Sequence, residues 1–81
     1  MTYSDIISQR ILALCKRRKI TVNKLANMSN VRQSTVDGIV RGTTKNPKLK
    51  TLHKLATGLS MTISEFLDFS ELNEITFEDE D

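Results

Sequence analysis

Apolar positions recur along the chain at helical spacing. Ile7, Ile11, Leu14 and Cys15 fall at i, i+4, i+7 and i+8, one face of a helix. Ser4 is placed to cap that helix, and Asp5 suits its first turn. Lys16, Arg17, Arg18 and Lys19 finish it, where cations favour the negative end of the helix dipole. Thr21 then opens a second, short helix with Leu25 and Ala26 facing inward. Ser29-Asn30 ends it, because Asn tolerates the left-handed backbone of a tight turn. A third helix is predicted from about Gln33 to Val40 or Arg41, stopping at Gly42. Residues 43–48, which hold the only proline, Pro47, read as a loop. Leu49, Leu52, Leu55, Ala56 and Leu59 mark a fourth amphipathic helix. Thr62-x-x-Glu65 is a capping box for a short fifth helix carrying Ile63, Phe66 and Leu67. Strands and hairpins are poorly signalled. The pattern predicts an all-α fold of five short helices.

The third helix has two distinct faces. At about 100° per residue, Gln33, Ser34, Asp37, Gly38 and Arg41 share one side, and Val36, Ile39 and Val40 the other. Gln can pair bidentately with adenine, Ser with several bases, and Arg with guanine or phosphate. A glycine inside a helix costs about 1 kcal/mol relative to alanine. Close approach of the backbone to a ligand is one compensation at Gly38. An ordinary solvated face is the alternative for such a helix taken alone.

Charge sharpens that choice. The formal net charge of +2 hides a segregation. All 12 Lys and Arg residues lie between Arg10 and Lys54, and the first sixty residues hold only Asp5 and Asp37 as acids. From residue 61 onward there are eight acids and no Lys or Arg. A basic body points to a polyanion partner, and the acidic end to a separate role. Aromatic residues make up 5% and Trp is absent, which argues against single-strand stacking platforms. One cysteine, Cys15, leaves no internal disulfide and fits a reducing cytosol. The longest apolar run, Ile11 to Cys15, is far short of the ~20 residues that span a membrane, and no signal peptide is evident. A cytoplasmic location is expected. Cys15 and His53 are too few for a zinc site, and His53 reads as solvated. No phosphate-binding glycine loop or nucleophile motif is present. No catalysis, metal or cofactor is therefore expected.

The run from Thr21 to Gly42, TVNKLANMSNVRQSTVDGIVRG, resembles the helix-turn-helix of the lambda-repressor-like (Cro, xenobiotic-response-element type) regulators of bacteria and phages. Ala26 stands where the two helices cross, Val31 follows the turn, and Val36 and Ile39 are the inner contacts. The likeness continues through NPKLKTLHKLATGL at 46–59 and MTISEFL at 61–67, so it covers about residues 6–67. It implies a five-helix domain with the third helix in the major groove of double-stranded DNA. Gln33, Ser34, Asp37 and Gly38 would then face bases. Thr21, Asn23, Arg32, Arg41, Thr43, Lys45, Asn46 and Lys48 would border phosphates.

Departures from the family pattern are specific. Asn30 replaces the usual turn glycine, and Val22 stands where a Gln often bridges phosphate and recognition helix. Gly38 lacks a side chain that often reads a base. Cys15 and Val40 replace an Arg–Glu pair. Losing both partners together avoids a stranded buried charge, so Cys15 is predicted to pack near Val40, with a redox-sensing thiol as the alternative.

The expected organisation is a DNA-binding domain at 1–68 and an acidic tail at 69–81. Three readings of the tail are open: disorder, a strand at residues 74–78 pairing in a dimer, or an extension of the fifth helix using Phe69, Leu72 and Ile75. The functional expectation is a sequence-specific regulator, a repressor acting as a homodimer. The alternative is an antitoxin-like interaction module whose residues 69–81 bind a partner protein.

Overall fold

Side-chain capping decides where the first helix begins. In a computed structural model, which describes residues 2–77, α1 spans Tyr3–Arg18. Its cap is Thr2, not Ser4. Thr2 Oγ1 accepts from the Asp5 amide at 3.3 Å, and the Asp5 carboxylate accepts from the Thr2 amide at 3.1 Å. That reciprocal box satisfies two otherwise orphan donors, which a lone Ser4 could not do. Ser4 is instead buried inside the first turn, its hydroxyl 3.1 Å from Thr2 Oγ1. Lys19 ends α1 in the left-handed region, at φ 58°.

The next elements follow their caps. α2 spans Val22–Ser29, with Thr21 Oγ1 accepting from the Lys24 amide at 3.0 Å. Asn30 closes it at φ 55°, as its side chain allows. α3 spans Gln33–Val40. Gly42 follows at φ 80°, with the Thr43 amide donating to Gly38 O at 3.0 Å and the Gly42 amide to Ile39 O at 3.2 Å. This paired closure, with glycine just past the end, stops the helix. α4 spans Leu49–Gly58 and α5 spans Ile63–Leu67. α5 opens on the expected box, Thr62 amide to Glu65 Oε1 at 2.8 Å and Glu65 amide to Thr62 Oγ1 at 3.0 Å.

One apolar cluster joins these helices. Ile7, Ile11 and Leu14 from α1 meet Leu25 and Ala26, Val36 and Ile39, Leu52 and Leu55, and Phe66. Leu49 does not join them. It is 62% exposed at the start of α4, and the inner stripe begins only at Leu52. Cys15 is buried and Val40 half-buried in the same cluster. Burial pushes the Cys15 thiol up, away from the reactive thiolate. α1 and α3 are tied by Ser8, whose hydroxyl donates to Val40 O at 2.6 Å.

The described residues hold six helices rather than five, and no strand. α6 is the four-residue turn Ser70–Asn73. It forms because Phe69 and Leu72 find partly buried places on the same cluster, with α6 lying against α1. Arg10 secures the junction. Its Nε donates to Phe66 O and its Nη2 to Glu65 O, both at 2.9 Å, and the guanidinium lies 4.9 Å over the Phe69 ring. Farther on, the Phe77 ring stacks on Tyr3 at 6.2 Å between centroids. Residues 74–77 form no strand, and the rest of the suggested strand, Glu78, lies outside the described residues together with Asp79, Glu80 and Asp81.

Candidate nucleic-acid interface

The sequence of α3 divides it by burial. Val36 and Ile39 are buried at 0% and 1% exposure, so the helix is held by that side. Gln33 and Ser34 in the first turn are exposed. Arg32 caps the helix without a side-chain hydrogen bond and is itself exposed. Helix starts leave their first amide donors without intrahelical partners. The beginning of α3 therefore offers free amides, a cation and two hydrogen-bonding side chains, a set suited to anionic, edge-patterned DNA.

Asp37 is half-buried one turn further along. Gly38 is half-buried too, and what lies against it is the chain itself. A Cβ there would meet Thr44 Oγ1 at 2.8 Å and Thr43 Oγ1 at 3.4 Å. Its carbonyl accepts from the Thr43 and Thr44 amides, each at 3.0 Å, and from the Thr43 hydroxyl at 3.1 Å. Where close approach to a ligand was the expected compensation at this glycine, the residues that lie against it are those of the α3–α4 loop.

That loop carries the cationic positions. Arg41, Thr43, Lys45, Asn46 and Lys48 are all exposed, and so are Thr21 and Asn23 at the start of α2. The Asp5 carboxyl is held below the usual range, first by the hydrogen bonds from Thr2 and to a smaller extent by charges including Lys45. Val22 is half-buried against the core, so it takes the inner side of α2. His53 is exposed on α4. No group of three or more metal-ligating side chains occurs among the described residues, and none of their helices is long and apolar enough to cross a membrane.

The sequence marked Ser29 only as a helix end and gave no sign of the packing role of Gly58. Gly58 closes α4 directly over Ser29 of α2, and Ser29 itself is buried. Neither carries an apolar signal, so periodicity passes over both.

Helices of this order, with α2 and α3 joined by the tight turn at Asn30 and a basic loop after α3, are those of a helix-turn-helix DNA-binding domain. The chain belongs to the Cro/C1-type helix-turn-helix DNA-binding family, whose model matches residues 10–71. Its structure is similar to the crystal structure of prophage Lp1 protein 11. The TM-score is 0.82 at 28% identity, over 93% of this chain and 99% of that one. No curated protein matches the chain.

Proposed function

We propose that the protein is a sequence-specific double-stranded DNA-binding repressor, acting as a homodimer on a two-fold symmetric site in the cytoplasm. The observation that carries this reading is the exposed first turn of α3, Gln33 and Ser34, above a buried Val36–Ile39 side. Gln33 and Ser34 read base edges, and Asp37 borders them. Thr21, Asn23, Arg32, Arg41, Thr43, Lys45, Asn46 and Lys48 serve phosphates, which set register without reading sequence. Gly38 contributes no base contact of its own in this account, because Thr44 lies where its side chain would begin. The likeness to a prophage protein supports a bacterial or phage setting.

Selection of bound sequences from a random duplex library tests this reading, with oligomeric state measured alongside. A palindromic consensus with half-sites about 34 Å apart, bound by a dimer, is the expected result. No enrichment over several rounds would defeat it.

A second reading keeps one observation in its favour. Phe77 remains 66% exposed in an acidic segment, a feature suited to a protein partner. Because Phe69 and Leu72 belong to the apolar cluster, the informative truncation removes residues 75–81 rather than 69–81. Loss of partner binding with DNA affinity intact would favour this reading.

A further inference from the structure

Gly38 leaves a gap in a row of side chains on α3. Ser34 and Gly38 stand four residues apart, so they lie one above the other on the helix. At about 100° per residue, Gly38 sits about 100° from the buried Ile39 and about 160° from the buried Val36. A side chain at this position would therefore point away from the core, along the face that carries the exposed Ser34. Glycine puts none there.

The α3–α4 loop fills the gap. A Cβ on Gly38 would stand 2.8 Å from Thr44 Oγ1 and 3.9 Å from Thr44 Cβ. The half-buried Thr44 side chain thus occupies the place where a side chain of α3 would begin. Its backbone is tied to the helix, because the Thr43 and Thr44 amides both donate to Gly38 O at 3.0 Å. The two threonines differ in what their hydroxyls do. That of Thr43 donates to Gly38 O at 3.1 Å. That of Thr44 makes no hydrogen bond among the described residues. It keeps one donor and two acceptor positions, a set that can pair with the edge of any base.

We infer that Thr44 is a base-reading residue, a loop side chain that takes the place vacated at Gly38 and presents its hydroxyl to a base edge beside Ser34. This rests on the proposed entry of α3 into the major groove. Thr44 adds one base pair in each half-site to those read by Gln33 and Ser34. It supplies, from outside the helix, the discrimination that Gly38 cannot. Its role differs in kind from that of its neighbours Thr43 and Lys45, which serve phosphates.

The test repeats the selection from a random duplex library with five versions of the full chain: wild type, Gln33→Ala, Thr44→Val, Thr44→Ala and Thr44→Ser. Valine keeps the shape of threonine and removes the hydroxyl. Alanine removes it with no added bulk near Gly38, and serine retains it. Thr44→Val and Thr44→Ala should each lose preference at one base pair per half-site, by about three- to tenfold, the size of a single neutral hydrogen bond. That base pair should differ from the one relaxed by Gln33→Ala. Thr44→Ser should keep the wild-type preference. A consensus unchanged in Thr44→Val and Thr44→Ala but altered in Gln33→Ala would overturn the inference and leave the reading of α3 standing. Equal weakening of selected and scrambled duplexes by Thr44→Val would also overturn it, by making Thr44 a phosphate contact. A wild-type chain that enriches no sequence would defeat the reading of α3, and this inference with it.

Discussion

A Cβ built on Gly58 would fall on the Ser29 hydroxyl and stand 3.0 Å from both Ser29 Cα and Cβ. One built on Gly38 would crowd only hydroxyl oxygens at the ends of side chains, Thr44 Oγ1 at 2.8 Å and Thr43 Oγ1 at 3.4 Å. Both glycines belong to helices and both forgo helix propensity. At the α2–α4 crossing the obstacle includes backbone, which cannot step aside without moving a helix. At the α3–loop junction the obstacle is the tip of a side chain that can rotate. The first glycine is a condition of the α2–α4 crossing. The second lets a loop settle against the end of α3, on the side of the molecule proposed to meet DNA.

Substitutions can break or sharpen that contrast. Gly58→Ala should lower unfolding free energy the most, by about 2–3 kcal/mol in a urea titration, as overpacking against backbone does. Ser29→Ala in the same protein should recover only part, since the contact to Ser29 Cα remains. Arg10→Ala should follow at about 1–2 kcal/mol. It removes two hydrogen bonds to carbonyls and the contact with Phe69 that fasten α5 and α6 to α1. Gly38→Ala should stay within about 1 kcal/mol of wild type, because the gain in helix propensity offsets the displacement of Thr44. A loss of stability at Gly38 equal to that at Gly58 would mean that Thr44 cannot rotate and the contrast is false.

The smallest effect concerns acid. Glu65 is held below the ordinary carboxylate range by its hydrogen bonds with Thr62, as Asp5 is chiefly by Thr2. A depressed folded value contributes stability above the unfolded value and loses it as pH falls through the folded one. The fold should therefore weaken below about pH 4, and Glu65→Gln should flatten that part of the stability profile. A profile unchanged by Glu65→Gln would remove the cap from the account of acid sensitivity.

Helix ends were largely legible because Thr, Asn and Gly act through local geometry. Thr21, Asn30, Gly42 and the Thr62–Glu65 box each do what their chemistry implies. Thr2 was harder, since Ser4 is also a competent cap and only the reach back from Asp5 separates them. Leu49 fits the helical stripe by spacing, but spacing does not say where the neighbouring helix ends. The spacing of Phe69, Leu72 and Ile75 suggests an extension of α5; what forms is a separate turn, α6, because its partner α1 is more than fifty residues away in sequence. For the candidate interface, the exposure of Gln33, Ser34 and Arg41 followed from the burial of Val36 and Ile39 on the other side of α3. The environment of Gly38 did not, because Thr44 reaches it only after the chain reverses at Gly42. The contact between Gly58 and Ser29 was silent for a related reason: a small residue shows what it touches only once the crossing helix is in place.

The division of labour across α3 and the loop is tested most directly by measuring binding of Gln33→Ala and Lys45→Ala to a selected duplex and a scrambled one over a range of salt. With roughly six phosphate contacts, wild-type log affinity should fall with log salt at a slope of about −5. Gln33→Ala should lose about 1–3 kcal/mol on the selected duplex alone, at an unchanged slope. Lys45→Ala should weaken both duplexes alike and make the slope shallower by about 1. If Gln33→Ala leaves discrimination intact, or if Lys45→Ala alters discrimination without altering the slope, the assignment of base reading to the first turn of α3 is wrong.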